Sequence, residues 1–167
     1  TINQLSIGDA LAISTLNQKK ISKKDFKKFH PSGNLGAKLR TVEEIMITGN
    51  KIPFVNGNLI MKKALQIISN KKLGILVVSN SKGITTGVIT DGQIRRFNEV
   101  NDNLQSLTVK EVMTLNPISI DKDTLVEKAL SIMNSKKITS LCVHSKKNLK
   151  RTVGILHIHK ILETNIN

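Results

Sequence analysis

Aromatic residues are nearly missing from this chain of 167 residues, which has no Trp, no Tyr and four Phe. Proteins that hold single-stranded nucleic acid stack bases on such rings, so no stacking platform is expected. Cysteine is limited to Cys142, which rules out a disulfide framework within the chain. Its setting, the apolar run Leu141-Cys142-Val143, is that of a small buried residue, a reactive thiol being the alternative. No apolar run approaches the roughly 20 residues that cross a bilayer. No signal-peptide pattern follows Thr1, so export is not expected and the cytoplasm is the default location. Walker loop, dinucleotide fingerprint and nucleophile elbow are all lacking.

Positive charge is plentiful instead: 26 Lys and Arg stand against 12 Asp and Glu, a formal net charge of +14. Counterion release by such cations raises affinity for nucleic acid. The type and spread of the cations argue otherwise. Arginine, the residue suited to bidentate phosphate and base recognition, occurs only at Arg40, Arg95, Arg96 and Arg151. The lysines sit in scattered pairs such as Lys71-Lys72 and Lys136-Lys137, the pattern of a solvated face rather than a binding stripe. Neither nucleic acid nor membrane is an expected partner, while attraction for an anionic small molecule survives.

The chain repeats itself. Thr41-Val42-Glu43-Glu44-Ile45-Met46 returns 67 residues later as Thr108-Val109-Lys110-Glu111-Val112-Met113. Each copy pairs Thr with Glu three places on, the capping box of a helix start. Leu59 to Ile68 matches Thr124 to Met133; Ile60, Ala64, Leu65, Ile67 and Ile68 form one helical face, and Leu125, Ala129, Leu130, Ile132 and Met133 repeat it. Thr124 with Glu127 offers a further capping box, and Asn58 a cap for the earlier helix. The four Met, at 46, 61, 113 and 133, belong to these apolar patterns and read as core filler. Short β-branched runs follow, Ile75–Val78 and Leu141–Val143, then polar turns, then Gly87–Thr90 and Gly154–His157, then closing helices near 92–99 and 158–164. A unit with helices on one face of a small sheet needs a partner for the other face, and the second copy supplies it. A two-fold-related pair leaves two clefts between its sheets, common places for small ligands.

These residues resemble the CBS domain, the paired module named for cystathionine β-synthase. The stretch Gly87-Val88-Ile89-Thr90-Asp91-Gly92-Gln93-Ile94-Arg95-Arg96 is similar to the first repeat in bacterial arabinose 5-phosphate isomerases of the KpsF/GutQ type. Gly8-Asp9-Ala10-Leu11-Ala12, Asp25-Phe26 and His30-Pro31-Ser32-Gly33-Asn34-Leu35-Gly36 resemble the end of that family's sugar isomerase (SIS) domain. The resemblance implies an α/β (α+β) fold, a tandem CBS pair of two β-α-β-β-α repeats related by pseudo-two-fold symmetry, behind an N-terminal helical segment. The expected divisions are 1–40, SIS tail and linker; 41–100, first repeat; 101–107, connection; and 108–167, second repeat.

The family interconverts ribulose 5-phosphate and arabinose 5-phosphate on the way to Kdo, a sugar of the lipopolysaccharide surface. Its His-Pro-Gly-Gly segment supplies a histidine for the proton transfer; His30 takes that place, and Ser32 replaces the first glycine of the pair. A phosphate cradle and further acid and base groups are also needed, so the 167 residues alone are expected to be inactive, with His30 catalytic only in an intact parent enzyme.

CBS domains that bind adenosine nucleotides place Thr or Ser, two residues, then Asp after the second long strand. Thr90 fits the hydroxyl; Gln93 stands where the carboxylate would grip ribose, and Asp91 is a partial substitute. The matching positions in the second copy are His157 and Lys160. With Arg95 these residues tilt the clefts towards an anion, such as a cytidine-nucleotide sugar. Ligand-binding residues are therefore expected at Thr90, Asp91, Gln93, Arg95, His157 and Lys160; clefts that serve only subunit packing are the alternative. His157 and His159 lie two apart but lack a third ligand, so neither metal nor cofactor is expected. The expected partners are the SIS domain of the same protein and a second copy, through paired CBS modules. A free-standing nucleotide sensor acting on a separate protein is the other reading of the whole.

Overall fold

The structure, a computed structural model, describes residues 2–19, 39–99 and 103–165. The chain divides into two units, Thr1–Arg40 and Thr41–Asn167. Of the first unit the main described element is helix α1, Ile2–Gln18, none of whose residues is buried. Ile2, Leu5, Ile7, Leu11 and Ile13 are all more than half exposed (59–80%). Asp25, Phe26 and the segment around His30 lie outside the described residues.

The second unit holds two four-stranded sheets. In chain order its elements are β1 (Ile47–Thr48), β2 (Phe54–Asn56), α2 (Met61–Lys71), β3 (Ile75–Ser79), β4 (Thr85–Thr90), α3 (Asp91–Asn98), α4 (Val109–Val112), β5 (Thr114–Leu115), β6 (Ser119–Asp121), α5 (Val126–Lys136), β7 (Ser140–His144), β8 (Gly154–His157) and α6 (Ile158–Asn165). Two β-α-β-β-α repeats are therefore present, β2 to α3 and β6 to α6, each preceded by one very short strand.

Those short strands are exchanged. β1 pairs antiparallel with β8 (Ile47 opposite Ile155), and β5 pairs with β4 (Gly87 opposite Leu115). The sheet orders are β2-β3-β4-β5 and β1-β8-β7-β6, so each sheet is finished by a strand from the start of the other copy. Glycine is required where these strands close. A Cβ on Gly87 would stand 2.7 Å from Met113 Sδ and 2.8 Å from the Thr114 carbonyl oxygen; one on Gly154 would collide with Met46 Sδ. The Met that ends each copy of the repeated hexapeptide thus packs on the glycine of the other copy.

Both capping boxes of that hexapeptide form. The Thr41 N–H and hydroxyl both donate to Glu44 Oε1 at 2.9 Å, and Thr108 N–H donates to Glu111 Oε2 at 2.8 Å, with its hydroxyl on the same oxygen. This bonding holds the Glu111 carboxyl below its usual range, the Thr108 hydroxyl and N–H being the main causes. The caps read at Thr124 and Asn58 do not form: α5 and α2 begin only after Leu125 and Ile60, and neither makes a side-chain cap bond. Tertiary pairing overrides local propensity there, because Ile60 bridges Thr108 and Leu125 bridges Thr41. The Met61 N–H finds its acceptor on Leu107 at 2.8 Å, and Thr124 gives its carbonyl to Val42 N–H at 2.9 Å. One register consequence follows on the helix face: Ile60 is 49% exposed, and Met61 is fully buried in its stead.

Strand alternation sorts the core into three groups. Leu76, Val78 and Ile89 pack under α2 with Met61, Ala64 and Ile68; Leu141, Val143 and Leu156 pack under α5 with Ala129 and Met133. The opposite faces of the same strands meet in a third group, Ile75 and Val77 against Cys142 and Ile155. Each side chain of this size stabilises the fold by about 1.5–3 kcal/mol when fully buried. The start of β4 also touches the β7–β8 connection: Thr85 and Thr152, 67 residues apart, share a hydroxyl hydrogen bond of 2.8 Å.

Candidate ligand cleft

The turns that end the strands build a cleft of about 510 Å³ between the two repeats, a volume suited to a small ligand. One wall comes from the first repeat. Here β3 and β4 pair Ile75 with Thr90, and Asp91 N–H donates to the Gly74 carbonyl at 3.1 Å, so Gly74, Thr90, Asp91, Gly92 and Gln93 line a single surface. Gly74 has φ +61°, and a Cβ there would lie 2.9 Å from Asp91 Oδ2; glycine alone leaves the carboxylate its place. The other wall is the equivalent part of the second repeat, where Ser140 pairs with His157 and Ile158 N–H donates to Thr139 at 2.9 Å. Thr114, Asn116, Pro117, Ile118, Val88 and Cys142 complete the lining.

Thr90 caps α3, its hydroxyl oxygen accepting Gln93 N–H at 3.3 Å. The Gln93 side-chain amide donates to the Val112 carbonyl of α4. A carbonyl can only accept, so a carboxylate at this position would face it acceptor to acceptor. The neutral amide thus ties the wall of the first repeat to the start of the second. On the far wall the His157 and His159 rings stack, centroids 4.9 Å apart and planes 27° from parallel. His159 N–H donates to His157 Nδ1 at 3.2 Å. Burial, then the neighbouring His159, push the His157 imidazole below its usual range. Cys142 is 2% exposed, and burial pushes its thiol up to about 11, which keeps it protonated and unreactive near neutral pH.

Of the residues singled out in the sequence, Thr90, Asp91, Gln93 and His157 come together in this cleft, and His30 falls outside the described residues. Arg95 is exposed and not among the lining residues; the next residue on α3, Arg96, lines the cleft in its place, a one-residue rotation of about 100° on a helix. Lys160 belongs to a second cleft of about 440 Å³, lined by Ile47, Thr48, Lys51, Asn70, Lys71, Leu73 and Lys160, and its ammonium meets Glu163 at 2.6 Å. Sequence reasoning missed Lys137 and treated His159 only as half of a metal pair. The repeated Lys-Lys after each helix was the available signal for Lys137, which closes α5 in the left-handed conformation at φ 52°. Among the described residues no group of three or more His, Cys, Asp or Glu is placed to hold a metal ion, and no helix is long and apolar enough to cross a membrane.

Comparison with known proteins agrees with this architecture. A family model described as CBS domain matches residues 42–99 and 109–166. The arabinose 5-phosphate isomerase KdsD of Salmonella typhi is 36% identical over 167 residues, covering 99% of this chain and 50% of that protein. The arabinose 5-phosphate isomerase KpsF of Escherichia coli is 35% identical over 155 residues, 92% of this chain and 46% of that protein. The chain spans about half the length of these curated relatives. Among solved structures, CBSX2 in complex with AMP superposes with a TM-score of 0.66 at 20% identity, covering 75% of this chain and 96% of that one. The CBS domain pair of MJ0100, in complex with 5′-methylthioadenosine and S-adenosyl-L-methionine, gives 0.66 at 22% identity, 75% of this chain and 94% of that one.

Proposed function

Because this chain belongs to the CBS domain family, we propose that it is the regulatory and assembly part of a sugar-phosphate aldose–ketose isomerase, an arabinose 5-phosphate isomerase of Kdo synthesis, and that its cleft senses an anionic nucleotide or nucleotide-sugar. The observation that carries the reading is the cleft itself, where a hydroxyl, a carboxylate and two imidazoles share one surface with the cations Arg96 and Lys137. Hydroxyl and carboxylate suit a ribose, and the cations suit a phosphate. In this reading residues 1–40 are the SIS tail and linker, 41–100 and 108–167 the two sensing repeats, and 101–107 their connection. The exposed apolar side chains of α1 support the first assignment, for they suit a helix that packs on further isomerase structure. A free-standing sensor would have no use for them. His30 acts in proton transfer in the intact enzyme, in the cytoplasm, and the CBS pairs join two copies into a dimer. Neither nucleic acid nor membrane is a partner.

Calorimetric titration of the chain with AMP, CMP and a cytidine-nucleotide sugar tests the sensing role. Saturable binding below about 1 mM is expected for at least one, and no heat from any of the three at millimolar concentration overturns it. For the parent activity, arabinose 5-phosphate should be converted by the intact reading frame and not detectably by these 167 residues.

A further inference from the structure

We propose that the stacked His157 and His159 form a proton-coupled seat for the phosphate of the cleft's ligand, so that a phosphate ester takes up a proton from solution as it binds. The proposal rests on the cleft being the ligand site and adds which residues meet the phosphate and what binding does to them. His157 Nδ1 accepts the His159 N–H at 3.2 Å, so in the neutral ring the proton resides on Nε2. Protonating the ring in the empty cleft would set a second N–H against that donor, and burial with a neighbouring imidazole already disfavours the charge. An anion beside the rings reverses the balance. The other ionisable groups that line the cleft with the pair are Asp91 and Arg96 on α3, Lys137 at the end of α5, and Cys142 on β7, whose thiol is neutral near pH 7. Asp91 is the only carboxylate among the lining residues, against two permanent cations, so the local field admits an anion.

The sign follows from linkage. An opposite charge close to an ionisable group favours its charged form by about one to three pH units. Reciprocity then makes the anion bind about tenfold or more tightly to the protonated ring. Affinity should therefore rise as pH falls from neutrality through the range in which His157 takes its proton.

Proton NMR of the histidine Cε1–H signals of the full chain, assigned with single His→Gln variants, tests this with AMP, adenosine and inorganic sulfate as probes. Sulfate keeps its charge throughout, so its pH dependence belongs to the protein. AMP and sulfate should each raise the His157 midpoint by about one unit, and adenosine should leave it in place. In His157→Gln the gain in sulfate affinity on going from ~pH 7.5 to ~pH 5.5 should vanish; His159→Gln, which keeps the titrating ring, should retain part of it. If the Thr90 and Gln93 amide signals shift with AMP while both histidine midpoints stay fixed, the proton-coupled seat is overturned and the sensing cleft stands. If neither amides nor histidines respond to AMP or sulfate, the phosphate seat is overturned, and the sensing reading falls with it only when CMP and the cytidine-nucleotide sugar also fail to bind.

Discussion

The two repeats keep the same frame and furnish it differently. At the frame positions they are near copies: two capping boxes with Thr and Glu, two Met-on-Gly closures, two helices ended by Lys72 and Lys137 in the left-handed conformation, and two strand pairs that alternate between helix side and sheet side. At the cleft-facing positions they part. Thr90 answers to His157, Gly74 to Thr139, and Gln93 to Lys160. The larger cleft mixes hydroxyl, carboxylate, amide and imidazole; the smaller carries three lysines and no carboxylate. A duplicated fold constrains what packs and leaves the rim free, so one architecture can present two unlike chemistries.

Matched truncations press this comparison hardest. Leu76→Ala and Leu141→Ala occupy equivalent, fully buried sites, and each should cost about 2–5 kcal/mol by urea unfolding. If the frame is shared, the two losses should be alike; losses at opposite ends of that range would show the repeats to be energetically unlike.

The glycine closures should separate the repeats more finely. Gly87→Ala meets the Thr114 backbone oxygen as well as Met113, and should destabilise by about 1–3 kcal/mol. Gly154→Ala meets mainly the flexible Met46 side chain, with its nearest backbone atom at 3.3 Å, and should cost less. Equal losses would contradict the contacts seen.

The smallest effect concerns acid. Because bonding to Thr108 lowers the Glu111 carboxyl in the folded state, its contribution is fully present above the ordinary value of 4.5 and is lost as pH falls through the lowered folded value. In Thr108→Ala the hydroxyl is lost and the N–H bond to Glu111 stays, so this portion of the acid sensitivity should shrink in thermal melts taken as pH falls below the ordinary carboxylate value.

Much of this frame could be read from the sequence, because the repeated hexapeptide, the 3.6-residue stripes and the β-branched runs are local signals that the tertiary structure reinforces. The caps at Asn58 and Thr124 were misread for the opposite reason: the residues after them are held by bridges to Thr108 and Thr41, far along the chain. The exchange of β1 and β5 was illegible too, since two-residue strands carry no periodicity. In the cleft, Thr90, Asp91 and Gln93 followed from the resemblance to the CBS nucleotide motif, and His157 from aligning the second copy with the first. Lys137 and Arg96 did not, because which of two adjacent basic residues turns inward depends on helix phase and on a left-handed cap.

The exchanged strands also decide what can be taken apart. A chain severed between 99 and 103 would give two halves, each lacking one border of its sheet and each carrying the piece the other lacks. Such halves are built to find one another, in the manner of a split reporter. A lone half would instead expose an unsatisfied strand edge to any copy like itself.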